Sequence, residues 1–163
     1  MMSVMLSVKS KWCELIASGK KTVEVRKTRP KIETPFKCYI YQTVGGRTNT
    51  IDILENNLGK VIGEFVCDQI NDITVISTPV MEYIQVNGKA SMTINSDVCL
   101  DIDELSEYAN GKTLYGWHIS DLVIYDKPKG LSEFRHCGKN YHFNPIITKP
   151  PQSWCYCEVL END

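Results

Sequence analysis

Apolar and polar positions recur with periods that change several times along the chain, and each change marks an element boundary. Residues 4–8 (VMLSV) alternate well enough to predict a first strand. Ser10 stands where a helix N-cap would, because a hydroxyl there accepts from the free N–H groups of the next turn. Trp12, Leu15 and Ile16 fall at helical spacing, and Gly19 supplies the left-handed residue that ends a short helix. Trp12 reads as a core anchor of that helix. From Thr22 the period becomes two, with Val23 and Val25 on one face and Thr22, Glu24 and Arg26 on the other. Pro30 closes this strand or confines it to a sheet edge.

Residues 36–43 (FKCYIYQT) are β-branched and aromatic and predict a strand, and Gly45-Gly46 opens a polar loop over 47–57. Residues 60–70 (KVIGEFVCDQI) predict another strand, with Gly63 as a bulge or point of close backbone approach. Residues 71–98 lack a clean period. They read as a partly irregular insertion containing Pro79 and an Asn87-Gly88 turn, and the acidic stretch runs on to 113. Residues 101–110 predict a short helix ended by Gly111, with Asp101 and Glu104 spaced for a capping box. Short strands follow at 115–119 and 122–125, then a turn at Pro128 and Gly130. A loop over 135–151 and a last strand at 153–160 (SWCYCEVL) complete the chain. One helix followed mostly by strands predicts an α+β domain spanning 1–163: a small mixed β-barrel of five to seven strands with two or three helices packed on it.

Composition narrows the class. In 163 residues, 42% are hydrophobic and 23% charged, which fits a globular domain and excludes pervasive disorder, a collagen-like fibre or a coiled coil. No apolar run approaches the roughly 20 residues of a membrane span. The start lacks a basic segment followed by an apolar core, so no export is expected. With seven Cys, an odd number, reduced thiols in a cytoplasm are expected. The formal charge of −2 argues at first against a nucleic-acid partner. Its distribution reverses that impression. Residues 1–50 carry +7, residues 51–113 carry −8, and residues 114–163 carry −1. The basic first third points to an anionic partner at one face, and the near-neutral total points to a small ligand rather than an extended RNA coat. The acidic 71–113 stretch offers a protein partner an alternative docking segment. Nothing implies a cofactor, and a monomer or weak dimer is expected.

The densest polar constellation is Gly19-Lys20-Lys21-Thr22-Val23-Glu24-Val25-Arg26. Composition alone would make it an exposed ion-pair ladder, with Glu24 and Arg26 about 7 Å apart on one strand face. The segment LSVKSKWCELIASGKKTVEVR, however, resembles the opening of ASCH (activating signal cointegrator homology) domains, whose G-K-K-x-x-E-x-R signature these residues match. The stretch YGWHISDLVIYDKPKGLSEF, followed by KPPQSW, is similar to ASCH-like proteins of phages and prophages of Gram-positive bacteria. The resemblance covers about residues 3–160. It implies a PUA-like barrel with a cleft between the first helix and the strands, lined by the signature residues and binding RNA or a modified nucleotide. Lys20, Lys21, Glu24 and Arg26 would form the floor, with Lys9 and Lys11 at the mouth.

One branch resembling this fold hydrolyses the amide of N4-acetylcytidine with a Lys, a Thr and a Glu. Its Lys falls on Lys21, but its Thr falls on Glu24, where this chain departs. Its Glu falls in a region offering Asp97, Asp101, Asp103 and Glu104. As an enzyme, on such a nucleoside or on RNA, the chain would use Glu24 to activate water and Lys21 to stabilise the oxyanion. His118 is a further candidate to contact phosphate, and alternation puts it opposite Trp117, which reads as core. Cys137, His142, Cys155 and Cys157 are the residue types of a zinc site, but they lack a C-x-x-C pair. Buried thiols, without metal, are the expected arrangement.

Overall fold

The computed structural model describes residues 1–45, 57–139, 141, 143 and 145–161. Among these residues nine strands and three α-helices follow in the order β1 (Ser3–Val8), α1 (Ser10–Ala17), β2 (Val23–Arg26), β3 (Phe36–Gln42), β4 (Lys60–Ser77), β5 (Glu82–Val86), β6 (Lys89–Ala90), α2 (Ile94–Val98), α3 (Ile102–Ala109), β7 (Leu114–Lys129), β8 (Phe134–His136) and β9 (Trp154–Val159). They form one mixed sheet in the order β2-β7-β4-β3-β1-β9-β8, with β5 on β4 and β6 on β5. Among the described residues only β1 and β3 run parallel, and β1, between β3 and β9, is buried along its whole length. Its even residues Val4, Leu6 and Val8 enter one core and Met5 another, as expected for a strand covered on both faces.

The expected barrel is therefore an open, curled sheet of nine strands rather than a closed one of five to seven. Among the described residues no backbone ladder joins β2 to the far edge. Side chains stitch the seam instead. The Arg26 guanidinium on β2 donates to the carbonyls of Ser7 and Ser153, the Trp154 indole donates to Thr28 Oγ1, and the Lys31 amide donates to the Tyr156 hydroxyl.

Curvature comes from the two longest strands. β4 and β7 pair along most of their length, but their register shifts at three places. Asp121, in the left-handed conformation at φ 47°, lies where β7 gains one residue over β4. That bulge made the sequence look like two strands, when 114–129 is one. At Gly63 the backbones approach so closely that a Cβ would sit 2.4 Å from the Val123 carbonyl oxygen. Gly63→Ala is expected to cost about 1–3 kcal/mol of stability, read from the urea midpoint.

The stretch 71–98 carries more regular structure than the partly irregular insertion expected from its period. β4 continues to Ser77, β5 and β6 form a hairpin over the Asn87-Gly88 turn, and α2 follows. The pattern was hard to read because these strands are mostly half-exposed and carry few fully buried positions. The expected capping box holds: Asp101 Oδ1 accepts from the Glu104 amide and Glu104 Oε2 from the Asp101 amide. Ser10 does not cap. It is the first helical residue, and its hydroxyl accepts from the buried Gln42 side chain at 3.0 Å.

Two cores matter for the site. The first gathers Val4, Leu6, Val8, Cys13, Ile16, Phe36, Ile40, Phe65 and Trp117, and seats α1. The second gathers Val23, Val25, Ile73, Ile84, Val98, Leu105 and Leu114, and seats α2 and α3. Among the described residues no helix is long and apolar enough to cross a membrane.

Candidate functional site

β2 is an edge strand against β7, with Glu24 opposite Trp117 and Arg26 opposite Tyr115. Its alternation is the one expected, yet both faces are covered. Val23 and Val25 enter the second core, while the charged face turns toward the first. Gly19, at φ 76°, reverses the chain out of α1, and the Lys21 amide closes back on the Leu15 carbonyl. The Thr22 amide then bonds the Asp97 carbonyl, fastening the signature to α2. The signature is thus held between both cores.

Lys21, Glu24 and Arg26 are 3%, 5% and 7% exposed, which replaces the exposed ladder with a buried trio. Glu24 is its centre, with Oε1 2.9 Å from Arg26 Nη2 and Oε2 3.6 Å from Lys21 Nζ. Arg26 spends Nη1 on Ser153 and Nη2 on Ser7 as well as on Glu24. Lys21 Nζ donates to the Val98 carbonyl at 2.6 Å and lies 4.9 Å from the centre of the Trp12 ring. Glu24 Oε2 has no hydrogen-bond partner. Two cations share one carboxylate, so the trio carries a net positive charge away from water. Burial lowers the Lys21 pKa, and the neighbouring Glu24 charge offsets part of that effect.

A cleft of about 370 Å³ opens over this trio. Lys9 and Trp12 line it from the α1 side, Leu100, Glu104 and Tyr108 from the α3 side, and Lys21, Glu24 and Arg26 from β2 and its approach. Of the four acids expected near the second helix, Asp97, Asp101 and Asp103 do not line it and Glu104 does. Trp12, expected only to anchor the core, packs there and also walls the cleft. Tyr108 was not anticipated. It lies one helical turn after Glu104, the spacing that puts both on one face of α3.

Other expected residues lie elsewhere. Lys20 is exposed and outside the cleft lining, its carbonyl facing the Cys99 thiol. Lys11 is exposed beside Trp12, 4.5 Å from the ring centre, rather than in the lining. His118 pairs with Asp68 at 2.7 Å. It stands beside Trp117 on β7, so the strand alternation turns it to the face opposite Glu24 and away from the cleft. Trp117 is fully buried and meets Phe36 edge-on at 5.8 Å.

The zinc alternative gains no geometry. His142 lies outside the described residues, and among the described residues no three His, Cys, Asp or Glu side chains are grouped to hold a metal. All seven Cys are free thiols. Burial pushes Cys155 up to about 11 and raises Cys157 and Cys137, which makes them poor nucleophiles.

The ASCH domain model matches residues 6–126, about three quarters of the chain and all of the trio. The chain belongs to the ASCH domain family. Among solved structures it is similar to the ASCH protein of Zymomonas mobilis, at 20% identity and a TM-score of 0.57, covering 94% of this chain and 86% of that one. Two point variants of that Zymomonas mobilis protein match at 18% and 17% identity, with TM-scores of 0.57 and 0.58. They cover 94% of this ASCH chain and 88% and 87% of their own. No curated protein matches the chain. At these identities the likeness establishes the fold alone, an α+β mixed sheet with helices packed on it.

Proposed function

We propose that this ASCH domain binds RNA or a modified nucleotide in the cleft over the Lys21–Glu24–Arg26 trio. The observation that carries this reading is the buried, net positive trio beneath an aromatic-walled cleft, with one Glu24 carboxylate oxygen that accepts no hydrogen bond. Lys21 has one close hydrogen bond and N–H groups to spare, so it takes an acceptor or an anionic oxygen of the ligand. Glu24 Oε2 takes a base amino group or a ribose hydroxyl. Trp12 and Tyr108 offer ring faces to a base. In this reading the protein works in a cytoplasm, where its seven thiols stay reduced.

Titration with mononucleotides and short RNA at low and moderate salt tests the proposal. Binding that weakens with salt is expected, and Glu24→Gln should reduce it about ten-fold or more by replacing a charged acceptor. Absence of binding by either ligand at low salt would refute it. The pH dependence has a defined sign. Protonated Lys21 is the binding form, so affinity falls as pH rises through its pKa, which burial places below the usual lysine range. Lys21→Arg should abolish that alkaline limb, measured by isothermal titration between pH 7 and 10.

A hydrolytic reading is favoured by one observation, the lowered Lys21 pKa beside the Glu24 carboxylate. Glu24 would take a proton from water as its oxygen attacks an amide carbonyl, and Lys21 would hold the resulting oxyanion. Collapse would expel the amine with that proton. Release of acetate from N4-acetylcytidine, or cleavage of single-stranded RNA, lost in Glu24→Gln, distinguishes turnover from binding alone.

A further inference from the structure

A second cavity, of about 560 Å³, is walled by β1, β3, β8 and β9 and shares no lining residue with the cleft over the trio. Its size falls within the range of about 300–1,000 Å³ usual for small-molecule sites. Two cations stand in its walls, each braced by one carboxylate. Lys37 Nζ donates to Glu64 Oε1 at 2.7 Å, and Glu64 Oε2 accepts from the Tyr125 hydroxyl. Arg135 donates from Nε and Nη2 to a single oxygen, Glu158 Oε2, at 3.1 and 2.7 Å. Among the described residues Arg135 Nη1 makes no hydrogen bond, and Glu158 Oε1 meets only the Met1 ammonium, at 3.7 Å. The Arg135 hydrogen bonds hold the Glu158 carboxyl below its usual range, so it stays ionised. Spare charged donors and spare charged acceptors thus converge on one space.

We propose that this cavity binds a free α-amino acid with an apolar side chain, its carboxylate on Lys37 and Arg135 and its ammonium on Glu158 and Glu161. The site is separate from the trio cleft and does not depend on the nucleotide reading. Charge decides the class of ligand. Lys37, Arg135 and the Met1 ammonium face Glu158 and Glu161 in the lining, and Glu64 answers Lys37, so the two signs balance. A phosphate or a lone carboxylate would find each cation already countered and two acids beside it, and a lone cation would meet the converse. A zwitterion satisfies both signs at once. In an α-amino acid the two charges flank one carbon, and the Arg135–Glu158 pair presents a spare donor and a spare acceptor equally close together. The Arg135 fork suits a carboxylate, while Glu158 Oε1 needs an N–H and so selects a primary ammonium. The Met1 ammonium is 95% exposed, holds Glu158 weakly and gives way to that of a ligand. Tyr39, Val159 and Leu160 supply the apolar wall for a side chain. Tyr39 adds no charge there, because burial pushes its phenol up to about 12.

Isothermal titration of the whole chain with leucine, N-acetyl-leucine, leucinamide and N-trimethyl-leucine tests this, with backbone amide NMR shifts locating the site. Leucine is expected to bind. Each analogue should bind about ten-fold or more weakly, because each lacks one charged hydrogen bond. Leucine should move the amide signals of Lys37, Tyr39, Arg135 and Val159 and leave those of Lys9, Trp12 and Tyr108 in place. Lys37→Gln and Arg135→Gln should each weaken leucine by about ten-fold, with circular dichroism checking that they fold. The analogue series is read on the unaltered protein, so a variant that fails to fold does not shield the inference. No binding of leucine at millimolar concentration, equal binding of any blocked analogue, or shifts confined to the trio cleft would overturn it. Undiminished affinity in both folded variants would do the same.

Discussion

Arg26→Met is expected to lower folding stability by about 3–5 kcal/mol, the usual cost of removing one partner from a buried, hydrogen-bonded ion pair. Two losses combine. Glu24 would keep only Lys21, 3.6 Å away and outside hydrogen-bond range, as a counter-charge at 5% exposure. The sheet would also lose its clasp, because the same guanidinium joins β2 to Ser7 at the end of β1 and to Ser153 just before β9. Arg26→Lys should recover only part of the loss, since a single ammonium cannot reach Ser7, Ser153 and Glu24 together. Urea denaturation measures both variants. A change under 1 kcal/mol for Arg26→Met would show that the clasp carries no load.

Lys21→Met is expected to act in the opposite way. Ligand affinity should fall by about a hundred-fold or more, because a buried charge facing its ligand is lost. Stability should change by no more than about 1–2 kcal/mol, the cost of leaving the Val98 carbonyl without its donor. The apolar side chain avoids the desolvation that lowers the Lys21 pKa, and Glu24 retains its 2.9 Å contact with Arg26. Binding isotherms and denaturation curves on the same two variants therefore separate the trio into a fastening, Arg26, and a ligand group, Lys21. Equal loss of stability in both would erase that division.

Much of this was legible along the chain. The alternation in Val23–Arg26 put Glu24 and Arg26 on one face, and the signature singled out Lys21 beside them. The capping box at Asp101 and the left-handed Gly19 were local features, written within a few residues, and they stand where expected. What was hidden depends on contacts between distant residues. That the trio is buried follows from Ser7, Val98 and Ser153 closing over it, and no window of sequence contains all three. The single long β7 was read as two strands because its bulge is carried by Asp121 rather than by a glycine. Tyr108 and Lys27 escaped notice because only the fold brings them together, and charge counting could not tell a lysine beside a ring from one in plain solvent.

The seating of α1 on one core and of α3 on the other gives the cleft two independently anchored walls. Any breathing of one core against the other alters its width, so an occupant acts as a spacer between two packed bodies. Filling the cleft should then slow amide exchange in both helices together, even though the two share no side-chain cluster. The ASCH domain would sense its ligand as a change in cooperativity before any change in shape.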